Sequence, residues 1–81
     1  MPDKQFVVVA YDIPNDRRRT RLHNALLGFG TPVQYSVFEC WLTQPLLKKM
    51  KARVNQIIRP RKDHVRYYLL DCCILAFLAP M

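Results

Sequence analysis

Asp12 closes the apolar run Phe6-Val7-Val8-Val9-Ala10-Tyr11, and four arginines, Arg17, Arg18, Arg19 and Arg21, follow it closely. A carboxylate is a hard oxygen ligand of the kind Mg²⁺ takes alongside phosphate oxygens, with Mn²⁺ as an alternative ion. Guanidinium groups grip phosphate through paired N–H donors. Together these residue types suit work on a phosphodiester, where a bound cation polarises the phosphate and lowers the pKa of an attacking water. Asp12 has a second reading, as a turn carboxylate hydrogen-bonded to nearby backbone N–H groups. The two readings differ in what else they need. One carboxylate does not hold Mg²⁺ tightly, so the metal reading requires two copies of Asp12 converging on a two-fold axis.

The arginines carry a signal of their own. They fall in the first turns of an expected helix, where positive charge opposes the helix dipole at a cost of about 0.3–1 kcal/mol each. Free N–H groups and guanidinium groups at that end suit phosphate; a solvated basic face is the alternative. Lys48, Lys49, Lys51 and Arg53, and the loop residues Arg59, Arg61 and Lys62, read as solvated charge that could track a nucleic-acid backbone. Tyr35, Phe38, Trp41, Tyr67 and Tyr68 offer either base stacking or core packing. His23 and His64 have no ligand-like neighbours in sequence. The chain has no zinc-ligand spacing, no glycine-rich phosphate loop and no Ser-His-Asp arrangement.

These residues must be positioned by a small set of elements. The β-branched run ending at Asp12 is a buried strand. Asn15 or Asp16 caps a helix whose buried stripe is Leu22, Ala25, Leu26 and Phe29, with Arg17 and Arg21 on another face. Gly28 and Gly30 stop it, with Gly30 as the expected left-handed cap. Residues 32–43 are rich in strand formers and form one long strand or two short ones reversing near Ser36. No Asn-Gly or Gly-Gly pair decides between them. A second helix follows, capped by Thr43, with Pro45 in its first turn and an apolar face of Leu46, Leu47, Met50, Val54, Ile57 and Ile58. Residues 65–70 and 72–77 read as two further strands.

With a hairpin in the middle segment, this order is an α+β, ferredoxin-like βαββαβ sheet with an appended fifth strand at the C-terminus. Helices on its crossovers cover one sheet face. The first strand is nevertheless apolar on both sides, Phe6, Val8 and Ala10 alternating with Val7, Val9 and Tyr11. The expected cover for the second face is another copy of the chain in a two-fold homodimer.

Composition narrows the field further. The chain has 81 residues, which is one domain spanning 1–81, and 51% of them are hydrophobic, enough for a core. The net charge of +7 favours a polyanionic partner, RNA or DNA. Three cysteines without a Cys-x-x-Cys pair argue against a disulfide framework and for a reducing cytoplasm. The N-terminus lacks a signal-peptide layout, and the apolar C-terminal run is far short of the ~20 residues a membrane helix needs. No membrane association is expected.

The chain resembles the small CRISPR-associated adaptation proteins of the Cas-two family. The residues that carry the resemblance are Tyr11-Asp12-Ile13 with Pro14 to Arg19, Gly30, the segment Val33 to Cys40 with its Gln-x-Ser-Val-Phe-Glu pattern, and Asp63 before Val65-Arg66-Tyr67-Tyr68. The likeness covers nearly the whole chain. It implies a ferredoxin-like homodimer, the hairpin reading of the middle segment, and a last strand that adds to the partner's sheet. It implies a metal-dependent endonuclease acting on single-stranded RNA or double-stranded DNA, with Asp12 as catalytic residue and metal ligand and Mg²⁺ as cofactor. It implies functional roles for Arg19, Arg21 and Phe38; with Arg17, Arg18 and Ser36 these make the expected nucleic-acid-binding set. Asn15 and Pro32 depart from the family pattern, standing where an acidic residue and an arginine occur in other members.

Two functional readings follow from the resemblance. One is a phosphodiesterase with an ion between two Asp12 carboxylates. The other is a non-catalytic DNA-binding dimer that scaffolds the Cas-one integrase during spacer acquisition. A toxin-like ribonuclease of the same fold is a more distant third.

Overall fold

The strand that ends in Asp12 is the centre of the sheet. In the computed structural model, which describes residues 4–70, β1 (Gln5–Asp12) lies between β3 (Val37–Leu42) and β4 (His64–Leu70), with β2 (Thr31–Gln34) outside β3. Every pairing is antiparallel. Helix α1 (Asp16–Leu26) joins β1 to β2, and α2 (Gln44–Ile57) joins β3 to β4, so each crossover skips one strand. This is the ferredoxin-like βαββαβ arrangement. The expected fifth strand lies outside the described residues. Among the described residues no helix is long and apolar enough to cross a membrane.

Burial separates the two sheet faces. Val7, Val9 and Tyr11 of β1 and Phe38, Cys40 and Leu42 of β3 pack beneath Leu22 and Leu26 of α1 and Leu47, Met50, Val54 and Ile57 of α2. Alternation puts Phe6, Val8, Ala10 and Asp12 on the opposite face. Their cross-strand partners there are Trp41, Glu39 and Val37 on one side and Leu70, Tyr68, Arg66 and His64 on the other. Phe6 and Trp41 stack at 4.9 Å between ring centroids, yet Trp41 remains 53% exposed and Tyr68 46%. The two-sided apolar character of β1 therefore survives folding as an open, partly apolar sheet face.

Local signals explain the helix boundaries. Asn15 caps α1, its Oδ1 accepting from the Arg18 N–H at 2.9 Å. Thr43 caps α2 in the same way, accepting from Leu46 N–H, with Pro45 in the first turn. Leu46 itself is 41% exposed and lies off the buried stripe, contrary to the periodicity-based expectation. The end of α1 also differs. Leu27 is its C-cap, in right-handed geometry, and neither glycine has positive φ. Gly30 is instead demanded by close approach: a Cβ there would stand 2.4 Å from both Cys40 Sγ and the Glu39 carbonyl oxygen.

The middle segment resolves as a hairpin. Tyr35 and Ser36 make the turn, and Ser36 holds φ at 64°. Its carbonyl accepts the Tyr11 N–H at 3.0 Å, which ties the turn to the end of β1.

Candidate functional site

The end of β1 presents consecutive side chains to opposite faces. Tyr11 turns into the core, 7% exposed, while Asp12 is exposed on the open face. Asp12 sits directly across from His64 of β4, and the next residue pair along that face is Ala10 and Arg66. His64, which the sequence shows without neighbours, is thus placed beside the carboxylate by strand register. Asp12 has no side-chain hydrogen bond or ion pair among the described residues, so it is not the satisfied turn carboxylate of the alternative reading. Neither do the described residues contain three or more His, Cys, Asp or Glu side chains grouped to hold a metal ion. One chain therefore offers an unencumbered carboxylate and an adjacent imidazole, a donor set that suits a divalent ion only when a second copy completes it.

The arginines divide into different roles. Arg17 and Arg21 are exposed and, with Asp16 and Thr20, line a shallow surface depression. Arg18 is turned inward. Its Nε and Nη2 donate to the two carboxylate oxygens of Asp63 at 2.7 and 3.0 Å. Asp63 is 3% exposed and accepts a further hydrogen bond from the Arg59 N–H at 2.8 Å. The Arg18 hydrogen bond holds the Asp63 carboxyl below its ordinary pKa, against the upward push of burial. Arg18 is committed to holding α1 against the loop before β4, and its fork is not free for phosphate. Arg19 donates through Nη1 to the Ile13 carbonyl at 2.9 Å and pairs with Asp16, bracing the connection from β1 into α1.

Phe38, expected at the nucleic-acid surface, is 1% exposed. It packs against Tyr11 and against the edge of His23, at 6.3 and 5.2 Å between centroids. A ring so enclosed has no face open to a base; its place is beneath the turn that carries Ser36. Ser36 is half-buried in the left-handed turn beside Tyr11. Burial pushes the Tyr11 phenol up, nearby Tyr35 adds to it, and Arg19 and a hydrogen bond from Ser36 pull the other way. The structure thus gathers Tyr11, Arg19 and Ser36 at one site and leaves Arg17 and Arg21 on the outer surface.

Sequence reasoning did not find the Arg18–Asp63 pair. The available signal was an acidic residue inside the basic stretch Arg59 to His64, where a lone carboxylate is more readily explained as a partner than as solvated charge.

The family model described as CRISPR associated protein Cas2 matches residues 5–73. A CRISPR-associated endoribonuclease Cas2 of Synechocystis sp. is 44% identical over 64 residues, covering 79% of this chain and 70% of that protein. A CRISPR-associated endonuclease Cas2 of Thermus thermophilus is 43% identical over 65 residues, covering 80% and 72%. Among solved structures, Streptococcus pyogenes Cas2 at pH 6.5 superposes with a TM-score of 0.82 at 30% identity, covering 94% of this chain and 98% of that one. A chain of a partial Cas6-RT-Cas1–Cas2 complex also reaches a TM-score of 0.82, at 25% identity and covering 95% and 84%. With the sheet order, the tyrosine–aspartate strand end and the hairpin all in place, this chain belongs to the CRISPR-associated Cas2 family.

Proposed function

We propose that the chain acts in CRISPR adaptation as a two-fold homodimer that binds nucleic acid, partners the Cas1 integrase and hydrolyses phosphodiester bonds of single-stranded RNA or double-stranded DNA. The observation that carries this reading is the unpartnered Asp12 carboxylate on an open, partly apolar sheet face. Closing two such faces together buries Trp41 and Tyr68 and brings two Asp12 side chains to one interface. The names of the relatives, endoribonuclease and endonuclease, support the chemistry, and the Cas1–Cas2 assembly supports the partner.

In such a dimer the paired Asp12 carboxylates would hold Mg²⁺, with Mn²⁺ as a substitute. When bound, the ion supplies positive charge at the phosphate and a more acidic water. The chain's own residues do the rest. Asp12 would supply the carboxylate oxygens that hold the ion. Arg17 and Arg21 hold the flanking backbone, and Arg66 adds positive charge on the same face as Asp12.

A second reading is favoured by one observation. Among the described residues Asp12 is the carboxylate each chain brings to the end of β1, and a dimer that only tracks DNA for the integrase needs nothing more than its charge. The Asp12→Ala variant separates the two readings. The nuclease reading expects cleavage of RNA or duplex DNA with Mg²⁺ to vanish while the dimer persists in sedimentation. Retained spacer acquisition by that variant assigns the biological role to the scaffold. Wild-type protein that cuts neither substrate with Mg²⁺ or Mn²⁺ eliminates the enzyme.

A further inference from the structure

A cleft of about 270 Å³ lies between α1 and the β2–β3 turn, walled by Tyr11, Arg19, His23, Gln34, Tyr35 and Ser36. We propose that this cleft is a subsite for one unpaired nucleobase, stacked on Tyr35 and read by the Gln34 amide and the Ser36 hydroxyl. The inference rests on the nucleic-acid reading above and adds to it the form of nucleic acid the chain prefers.

Size and wall chemistry select the ligand. The volume falls just below the range of roughly 300–1,000 Å³ usual for drug-sized ligands, so it suits one planar heterocycle. The Tyr35 ring is 76% exposed at the tip of the turn, the most open of the large apolar side chains described. A π-face left open beside a cleft is a stacking platform for any base. Gln34 and Ser36 add donors and acceptors of the kind that meet the edges of splayed-out bases. His23 is held edge-on against Phe38, which fixes the floor of the cleft.

Charge decides between a base and a phosphate. Among the described residues Arg19 is the one arginine or lysine in the wall, and its guanidinium is already engaged by the Ile13 carbonyl and by Asp16. A phosphate in the cleft would find no free positive partner; a neutral heterocycle needs none. The uncommitted Arg17 and Arg21 lie outside it on α1, where a flanking backbone would run.

The turn is built to stay in place. Ser36 keeps a left-handed φ of 64° without being glycine, a conformation that costs energy and persists where the surroundings enforce it. The hydrogen bond from Tyr11 N–H to the Ser36 carbonyl supplies that enforcement. Because Tyr11 faces the cleft side and Asp12 the open side, a strand with its base in the cleft reaches the carboxylate by passing round the end of β1. A paired base in a duplex must first be flipped out, at a cost of a few kcal/mol. The cleft therefore favours single strands.

The test uses full-length protein, a single-stranded RNA oligonucleotide and a DNA duplex of equal length, with binding read by fluorescence anisotropy. Tyr35→Ala is expected to weaken single-strand binding by about 5- to 150-fold, the range set by one lost base–aromatic stack. Duplex binding stays within about twofold, and Tyr35→Phe retains the single-strand affinity. Gln34→Ala changes the ranking among homopolymer single strands. Unaltered single-strand affinity in Tyr35→Ala, or equal losses for strand and duplex, overturns the subsite while leaving the nucleic-acid reading intact. Wild-type protein that binds neither probe overturns both. Circular dichroism of the variants checks folding, which the exposed position of Tyr35 leaves undisturbed.

Discussion

Arg18 and Asp63, 45 residues apart in sequence, meet in a two-bond fork that fastens the first turn of α1 to the loop leading into β4. The Asp63 carboxylate also accepts the Arg59 N–H, so one buried side chain ties α1 to both ends of the loop before β4. Removing the acceptor strands a guanidinium and a backbone N–H together. Asp63→Ala is expected to lower the melting temperature by on the order of 10 °C, the scale of breaking a buried pair in a domain this small. Arg18→Lys, which keeps the charge but cannot reproduce the planar fork, should lose stability too, though less than Asp63→Ala. Thermal melts by circular dichroism read both. Nucleic-acid affinity of Arg18→Lys stays close to wild type, since this arginine is turned inward.

Acid should undo the same contact. The Asp63 pKa is lowered in the folded chain, chiefly by the Arg18 hydrogen bond. Below the unfolded carboxylate value of ~3.9, the unfolded chain takes up a proton that the folded chain still refuses. The stabilisation is therefore complete at neutral pH and is lost as pH falls through ~3.9 toward the lower folded value. Urea midpoints measured from pH 7 to pH 2 should fall more steeply for wild type than for Asp63→Asn. Parallel curves would show that the carboxylate is not the titrating group.

Periodicity found the elements because burial imposes it. Val7, Val9 and Tyr11 alternate toward the helices, and Leu22, Leu26, Met50 and Val54 recur at helical spacing for the same reason. The reversal near Ser36 has no local turn signature, because a serine at positive φ leaves none in sequence; a hydrogen bond from Tyr11 supports it. Long-range pairings were invisible for a similar reason. Nothing local distinguishes Arg18 from Arg17, yet one turns inward to Asp63 and the other to solvent. His64 gains its place beside Asp12 only from β1–β4 register. The resemblance implies a nucleic-acid role for Phe38, while alternation along β3 sends it inward.

Gly30 tests whether packing or backbone conformation selects glycine after α1. Its φ is not positive, so what excludes a side chain is the clash that a Cβ would make with Cys40 Sγ and the Glu39 carbonyl oxygen. Part of that obstacle is backbone of β3, which cannot swing aside as a flexible side chain would. Gly30→Ala should destabilise the chain by about 3 kcal/mol, the upper part of the overpacking range. The double variant Gly30→Ala, Cys40→Ala recovers some of the loss by removing the sulfur and leaves the clash with the carbonyl. Equal stability of Gly30→Ala and wild type in urea would refute the close approach.

Tyr67 combines a buried hydroxyl with no hydrogen-bond partner among the described residues and a pKa pushed up to about 12 by burial. An unfolded tyrosine ionises near ~10, so between pH ~10 and about 12 the unfolded chain sheds a proton that the folded chain keeps. Stability should decline across that window. Tyr67→Phe removes this contribution and also the unpaired hydroxyl, so it should raise stability at pH 7 by about 1 kcal/mol. Denaturant curves at pH 7 and above pH 10 measure both effects. A loss of stability at pH 7 would reveal a partner for the hydroxyl.

The open sheet face gives the last prediction, because Trp41 is both its most exposed large apolar group and the neighbour of Phe6. A half-exposed indole with Tyr68 on the same face is surface that a two-fold contact would cover. Trp41→Lys puts a positive charge at that contact in a chain already carrying +7, and the charge repels its own symmetry mate. If wild type forms the proposed dimer, sedimentation should show monomer for this variant at the same concentration, with unchanged circular dichroism because Trp41 is not core. Leu27→Lys, which removes a similarly exposed apolar group at the end of α1, should leave the dimer intact. The site makes the comparison sharper: if two Asp12 carboxylates must share one ion, cleavage falls in step with dimer content for Trp41→Lys and is unaffected for Leu27→Lys. Cleavage by a monomeric Trp41→Lys chain would show that a single Asp12 suffices.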